Sequence, residues 1–134
     1  ITRIPKTMPV NFCWRSPISL KALNTMAEGL PFARMLKETR QVIVVCGDTI
    51  KSSNAWFLDC SAASQNLLLA AESMGLGAVW TAVYPYPDRI EIVRKELQLP
   101  DHIIPLNVIP VGYPMQKETP KNKYNVQQIH HNGW

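Results

Sequence analysis

Residues 54–85, NAWFLDCSAASQNLLLAAESMGLGAVWTAVYP, decide the fold of this 134-residue chain. Trp56, Cys60, Ala63, Leu67, Ala70 and Met74 recur at alternating steps of four and three, the spacing of a helix seam. Phe57, Ser64, Leu68 and Ala71 form a second stripe beside it. The spacing predicts a helix over residues 54–74, about 31 Å long at 1.5 Å per residue. Apolar on nearly every side, it must be enclosed, and in so small a chain the expected enclosure includes a second copy. The small residues from Cys60 to Ser64 allow close helix approach. Gly75 supplies a left-handed stop. GAVWTAV, residues 77–83, then reads as a buried strand that runs into an aromatic, proline-rich loop.

Working outward, VIVVC at 42–46 is a β-branched run expected as a central strand covered on both faces. Before it, Ser19 is placed to cap a helix to Glu28, with Leu20, Leu23 and Ala27 on one face and Gly29 just past its end. Pro31 opens a short helical turn over PFARMLKET, while residues 1–17, with three prolines, read as extended or looped. Downstream, Pro87 takes the first position of the helix PDRIEIVRKEL, whose Ile90, Val93 and Leu97 face inward before Pro100 ends the element. In IIPLNVIPVGYP, Pro105 and Pro110 each remove a ladder donor, so an edge strand or two short pieces are expected. Residues 115–134 form a polar, basic tail ending in His130, His131 and Trp134. Alternating helices and strands predict one three-layer domain of the α/β or α+β class.

Composition narrows the function classes. At 46% hydrophobic residues the chain can build a core, and at 18% charged residues with 11 prolines it has little solubilising surface, which favours an oligomer. The net charge of +4 fits a mildly basic surface or a small anionic ligand. No Lys/Arg run exceeds two residues and no aromatics interleave with basic residues, so nucleic acid is not expected as a partner. Cys13, Cys46 and Cys60 lack CxxC spacing and read as reduced packing residues. Asp59, Gln65, Asn66 and Glu72 interrupt the long helix, so no membrane span is expected, and the expected address is the cytoplasm.

WFLDCSAASQNLLLAAESMGLGAVW, IIPLNVIPVGYP and PKNKYNVQQIHHNGW, taken together over residues 54–134, resemble the flavin-dependent nitroreductase family. The resemblance implies a three-layer α-β-α fold of the α+β class with a long interface helix. It also implies FMN at the boundary of a homodimer, NAD(P)H as reductant and a small planar electron acceptor such as a nitroaromatic or quinone. At the N-terminus the family usually carries an Arg-Arg-Ser segment and a P-S-x-x-N-x-Q-P-W stretch. Here ITRIPKTMPVNFCW offers Arg3 and a compressed echo in Pro9, Asn11 and Trp14. The expectation is a single domain over 1–134 that lacks part of the family's N-terminal region.

Residue by residue, the resemblance assigns Lys121 and Lys123 to the FMN phosphate, where two ammonium groups would make charge-assisted bonds to a dianion. It assigns backbone groups of Trp80, Thr81 and Ala82 to the flavin ring edge, and Arg3 and Asn11 to further cofactor contacts. The bland alternatives are a solvated lysine pair and an ordinary buried strand. No side-chain acid, base or nucleophile stands out, as expected where the protein supplies orientation and the cofactor the chemistry. Asp59 reads as a structural cap or pair. His130 and His131 point apart on extended backbone and do not suggest a metal site; packing of the tail on a partner, with Trp134 as anchor, is expected instead. Tyr84, Tyr86 and Trp80 either wall a planar substrate or belong to the core. The competing reading is a degenerate, flavin-free module that persists as a dimer.

Overall fold

The computed structural model describes residues 10–14, 18–116, 119 and 121–134. Five strands build one sheet: β1 (Val10–Trp14), β2 (Gln41–Asp48), β3 (Gly77–Ala78), β4 (Thr81–Ala82) and β5 (Ile103–Gly112). Three helices cover it: α1 (Leu20–Gly29), α2 (Trp56–Ser73) and α3 (Pro87–Leu97). All pairings are antiparallel, in the order β1–β2–β5, with β3 and β4 both on the far side of β5. No helix among the described residues is long and apolar enough to cross a membrane.

The alternation of β2 explains the three layers. Val42, Val44 and Cys46 face α1 and α3 in a core with Met26, Leu36, Val83, Val93 and Val108. Ile43 and Val45 face α2 in a second core with Trp56, Cys60, Leu106 and Ile109. Each fully buried aliphatic side chain contributes about 1.5–3 kcal/mol, so β2 is held by burial on both faces, as the β-branched run predicts.

Local chemistry sets the helix ends. The Ser19 hydroxyl accepts from the Ala22 N–H and caps α1, although Leu20, expected on the inner face, is 72% exposed. Gly29 is the last residue of α1 rather than lying past its end. Within PFARMLKET the helical turn is a 3-10 turn at Arg34–Lys37. At the end of α2, Gly75 has φ 71°. The Leu76 N–H reaches Ala71 O and the Gly75 N–H reaches Glu72 O, the double closure of a left-handed stop. Pro87 occupies the first turn of α3, and Gln98, with φ 54°, ends it.

Two strand expectations are reversed. The segment expected at an edge, β5, is an interior strand of ten residues. Its prolines sit where the ladder is already open. Pro105 pairs with Cys46 beside the register shift that leaves Leu106 without a partner in β2, a bulge that tolerates a missing donor. Val83 and Tyr84 donate to Leu106 O, so even-numbered residues of β5 face the β3/β4 side. Pro110 therefore looks toward the gap between β3 and β4, where Val79 and Trp80 pair with nothing in the sheet. Conversely, GAVWTAV is not one buried strand but two short pieces along the edge.

The long helix also departs from its expected seam. Its buried residues are Trp56, Cys60, Ser64 and Ala71, whereas Met74 lies outside the helix and is 72% exposed. The inner face therefore runs between the two expected stripes. Leu58 and Leu69 are 61% and 59% exposed, with Ala62 also outside. They leave a stripe of α2 that no described residue covers.

Candidate functional site

The edge formed by β4 carries the geometry of interest. Thr81 pairs with Val108 and Ala82 with Asn107. Successive residues of an antiparallel strand turn their N–H and C=O to opposite sides. Since Val83 bonds to Leu106, Thr81 faces β5 and Ala82 turns both main-chain groups outward, where no described strand lies. The Ala82 carbonyl accepts from Arg89 Nη1 at 3.2 Å. The guanidinium is held over the Tyr86 ring at 3.7 Å from its centroid.

Side chains around this edge are committed to the core. Thr81 is buried and its hydroxyl has no partner among the described atoms. Trp80 is partly buried on the α2 side. Tyr84 meets Trp56 at 4.8 Å edge-on and stacks on Phe57 at 6.0 Å, so it is a core residue before it is a wall. A ligand at β4 would thus meet main chain rather than a reactive side chain.

The structure gathers Trp80, Thr81 and Ala82 at one edge, but no described contact joins them to Lys121 or Lys123. Both lysines are exposed, and the hydrogen bonds of their tail are local: Tyr124 N–H to Asn122 and Gln127 N–H to Asn125. His130 stacks on Trp134 at 4.2 Å while Trp134 stays fully exposed. Arg3 lies outside the described residues. The backbone of Asn11 pairs with Cys46 in β1, but its side chain lies outside the described set. Among the described residues no cluster of three His, Cys, Asp or Glu could hold a metal.

A cavity of about 690 Å³ opens at the opposite end of β5, lined by Met35, Thr39, Arg40, Leu76, Val79 and Tyr113 among others. None of Trp80, Thr81, Ala82 or the lysine pair lines it, so geometry at β4, not cavity volume, marks the candidate site.

Three features escaped sequence reading. Asn107, the lone polar residue in IIPLNVIPVG, is buried and donates to Ser64 Oγ at 2.7 Å, while Ser64 donates to Cys60 O at 2.8 Å. An amide inside an apolar run is a signal that could have been weighed. Arg89 lies three residues after Tyr86, spacing that places a cation over an aromatic in a first helical turn. Asp48 is buried, which pushes its carboxyl up. The N–H groups of Lys51 and Ile50 and the Lys51 ammonium outweigh that and hold it below the usual value. Burial, with Asp59 next to it, pushes the Cys60 thiol up to about 12 and makes it a poor nucleophile.

The donor chemistry suits a flat, phosphate-bearing group: two ammoniums with no ion pair among the described residues, an outward main-chain N–H and a guanidinium beside it. One chain does not assemble all of these at one place. A Clostridium difficile FMN-dependent nitroreductase aligns with TM-score 0.85 over 95% of this chain and 77% of its own, at 21% identity. At that identity it shows the nitroreductase fold, α+β in class. Residues 12–113 match the model of the Nitroreductase family, and the chain belongs to that family. A Methanothermobacter thermautotrophicus protein named "Putative NADH dehydrogenase/NAD(P)H nitroreductase" is 44% identical over 114 residues, 84% of this chain. The chain spans 60% of that relative's length. A Parabacteroides distasonis protein of the same name has a crystal structure that aligns with TM-score 0.90 and 89% identity, over 94% of this chain and 74% of its own.

Proposed function

We propose that this chain is the flavin-binding domain of a homodimeric NAD(P)H oxidoreductase that reduces nitroaromatics, quinones or similar planar acceptors by a ping-pong route. FMN, when bound, supplies a ring nitrogen that takes a hydride from the nicotinamide and later passes two electrons to the acceptor. The main chain of Trp80, Thr81 and Ala82 would meet the ring edge, and Lys121 and Lys123 would hold the phosphate. Asn11 and Arg3 are the remaining candidates for cofactor contacts. Trp56, Phe57 and Tyr84 pack against one another behind β4, and on this reading the protein needs no acid or base of its own.

The observation that carries this reading is the outward Ala82 N–H at an edge that no described strand covers. Ala82 is half-buried and its outward N–H is not used by the sheet, so the donor is available to a ligand acceptor. The uncovered α2 stripe at Leu58, Ala62 and Leu69 supports a second copy as the other wall. The names of the relatives support the reductant and acceptor class.

The test is reconstitution. The purified chain, incubated with FMN and desalted, should retain flavin absorbance, and the colour should bleach with NADH or NADPH and return on adding a quinone. A dimer that stays colourless would instead support the flavin-free interaction module, which the exposed α2 stripe alone equally favours.

A further inference from the structure

We propose that Arg89 is a positioning residue that sets the affinity of the β4 edge for the reduced over the oxidised cofactor. This rests on the reading of that edge as the FMN site. Three observations point to Arg89. Its Nη1 donates to the Ala82 carbonyl, which points to the same open side as the Ala82 N–H. Its guanidinium lies over the Tyr86 ring, 3.7 Å from the centroid, a second contact that holds it beside β4. Among the described residues no carboxylate pairs with it, since the ion pairs found there are Lys37–Glu28, Lys51–Asp48 and Arg94–Asp101.

Arginine carries five N–H donors in a rigid fork, and only one has a described acceptor. The others are not shut away in the core, for the buried atoms without partners belong to Thr81, Arg94 and Asn107. The residue thus offers a fixed positive charge and spare donors beside the site. Hydride transfer moves two electrons and a proton from the nicotinamide to the bound group. The nicotinamide becomes cationic, and the group it reduces gains one negative charge. A fixed cation at the edge therefore favours the reduced form over the oxidised one. A clasp that merely tied α3 to β4 would favour neither.

The experiment measures dissociation constants of the full chain for oxidised FMN and for dithionite-reduced FMN. Arg89→Gln should weaken reduced FMN at least ~10-fold more than oxidised FMN, equivalent to a fall of about 30 mV in the two-electron midpoint potential. Arg89→Lys, which keeps the charge, should hold the ratio within about threefold of wild type. Arg89→Met, whose stem fills the same space, takes the place of the glutamine variant if that one is unstable. A ratio unchanged in the uncharged variants, in a wild-type protein that binds FMN, overturns the role of Arg89 and leaves the site standing. A wild-type chain that binds no FMN ends both.

Discussion

Gly47 is the last residue but one of β2, on the face turned to α2, and the sign of a single methyl there tests the packing directly. Replacing a glycine by alanine at a position whose backbone alanine can adopt normally stabilises by about 0.4–1 kcal/mol, through the unfolded chain. At Gly47 an added β-carbon would lie 2.6 Å from Cδ2 of Trp56 and 3.1 Å from its Cβ, and closer still to Cε3. The indole cannot step aside easily. It is held edge-on by Phe57 at 6.0 Å and by Tyr84 at 4.8 Å. Nor can β2 retreat, because it pairs with β1 and β5 on its two sides. Overpacking of this kind costs about 1–3 kcal/mol, and the constraint on both partners puts Gly47→Ala near the top of that range.

After the unfolded-state gain the net loss should be about 2 kcal/mol, a large part of the roughly 5–15 kcal/mol of a typical domain. Urea unfolding at fixed protein concentration, followed by tryptophan fluorescence, measures it. The decisive form is a double-mutant cycle with Trp56→Leu. Removing the ring removes the clash, so the double variant should be more stable than the sum of the singles by at least ~1 kcal/mol. Gly47→Ala at or above wild-type stability, or strict additivity, would refute the close approach of β2 and α2.

Three further outcomes are expected. Lys121→Ala with Lys123→Ala should weaken FMN retention at least ~10-fold without changing the unfolding midpoint, because both side chains are exposed; unchanged affinity in a flavin titration would remove them from the phosphate. Leu69→Lys should shift the mass seen by light scattering from dimer to monomer, since a charge would then enter the α2 stripe; an intact dimer would place the interface elsewhere. Asp48→Asn should flatten the acid limb of stability. The lowered carboxyl contributes fully above the ordinary value of 3.8, and that contribution is lost as pH falls through the lower folded value. Unfolding midpoints from pH 2 to 6 that overlay wild type would argue against the Lys51 and Ile50 clasp.

What the sequence made legible was local. The Ser19 cap, the Gly75 stop, Pro87 at a helix start and the two-faced burial of Val42–Cys46 each follow from chemistry within a few residues, and each is observed. Strand order did not follow, because it is a tertiary property. The proline rule pushed residues 103–114 to an edge, yet a bulge at Pro105 and a ladder gap opposite Pro110 let β5 sit inside. The rotation of α2 was likewise hidden. Leu67 and Ala70 have the right spacing for an inner seam, but neither is among the fully buried residues. The Nitroreductase likeness was legible from motif order, whereas Arg89 was not, because nothing in its neighbourhood reveals that its guanidinium reaches back to Ala82.

The rotation of α2 has a physical cause. Asn107 and Leu106 both lie against α2 because the bulge at Val45 and Cys46 breaks the alternation of β5. A donor buried there needs a partner; the amide N–H of Asn107 finds the Ser64 hydroxyl, which in turn bonds back to Cys60 O, while its Oδ1 has no partner among the described atoms. Turning the helix by one residue, about 100°, would strand Asn107 opposite Ala63 or Gln65 and break that bond. So the polar pair fixes which side of α2 stays outside, and with it the position of Leu58, Ala62 and Leu69. Asn107 is also the cross-strand neighbour of Ala82. One buried side chain therefore registers both the α2 stripe and the β4 edge, so if these are the dimer face and the cofactor edge proposed above, Asn107→Leu should lower both the dimer mass in light scattering and the flavin retained after desalting.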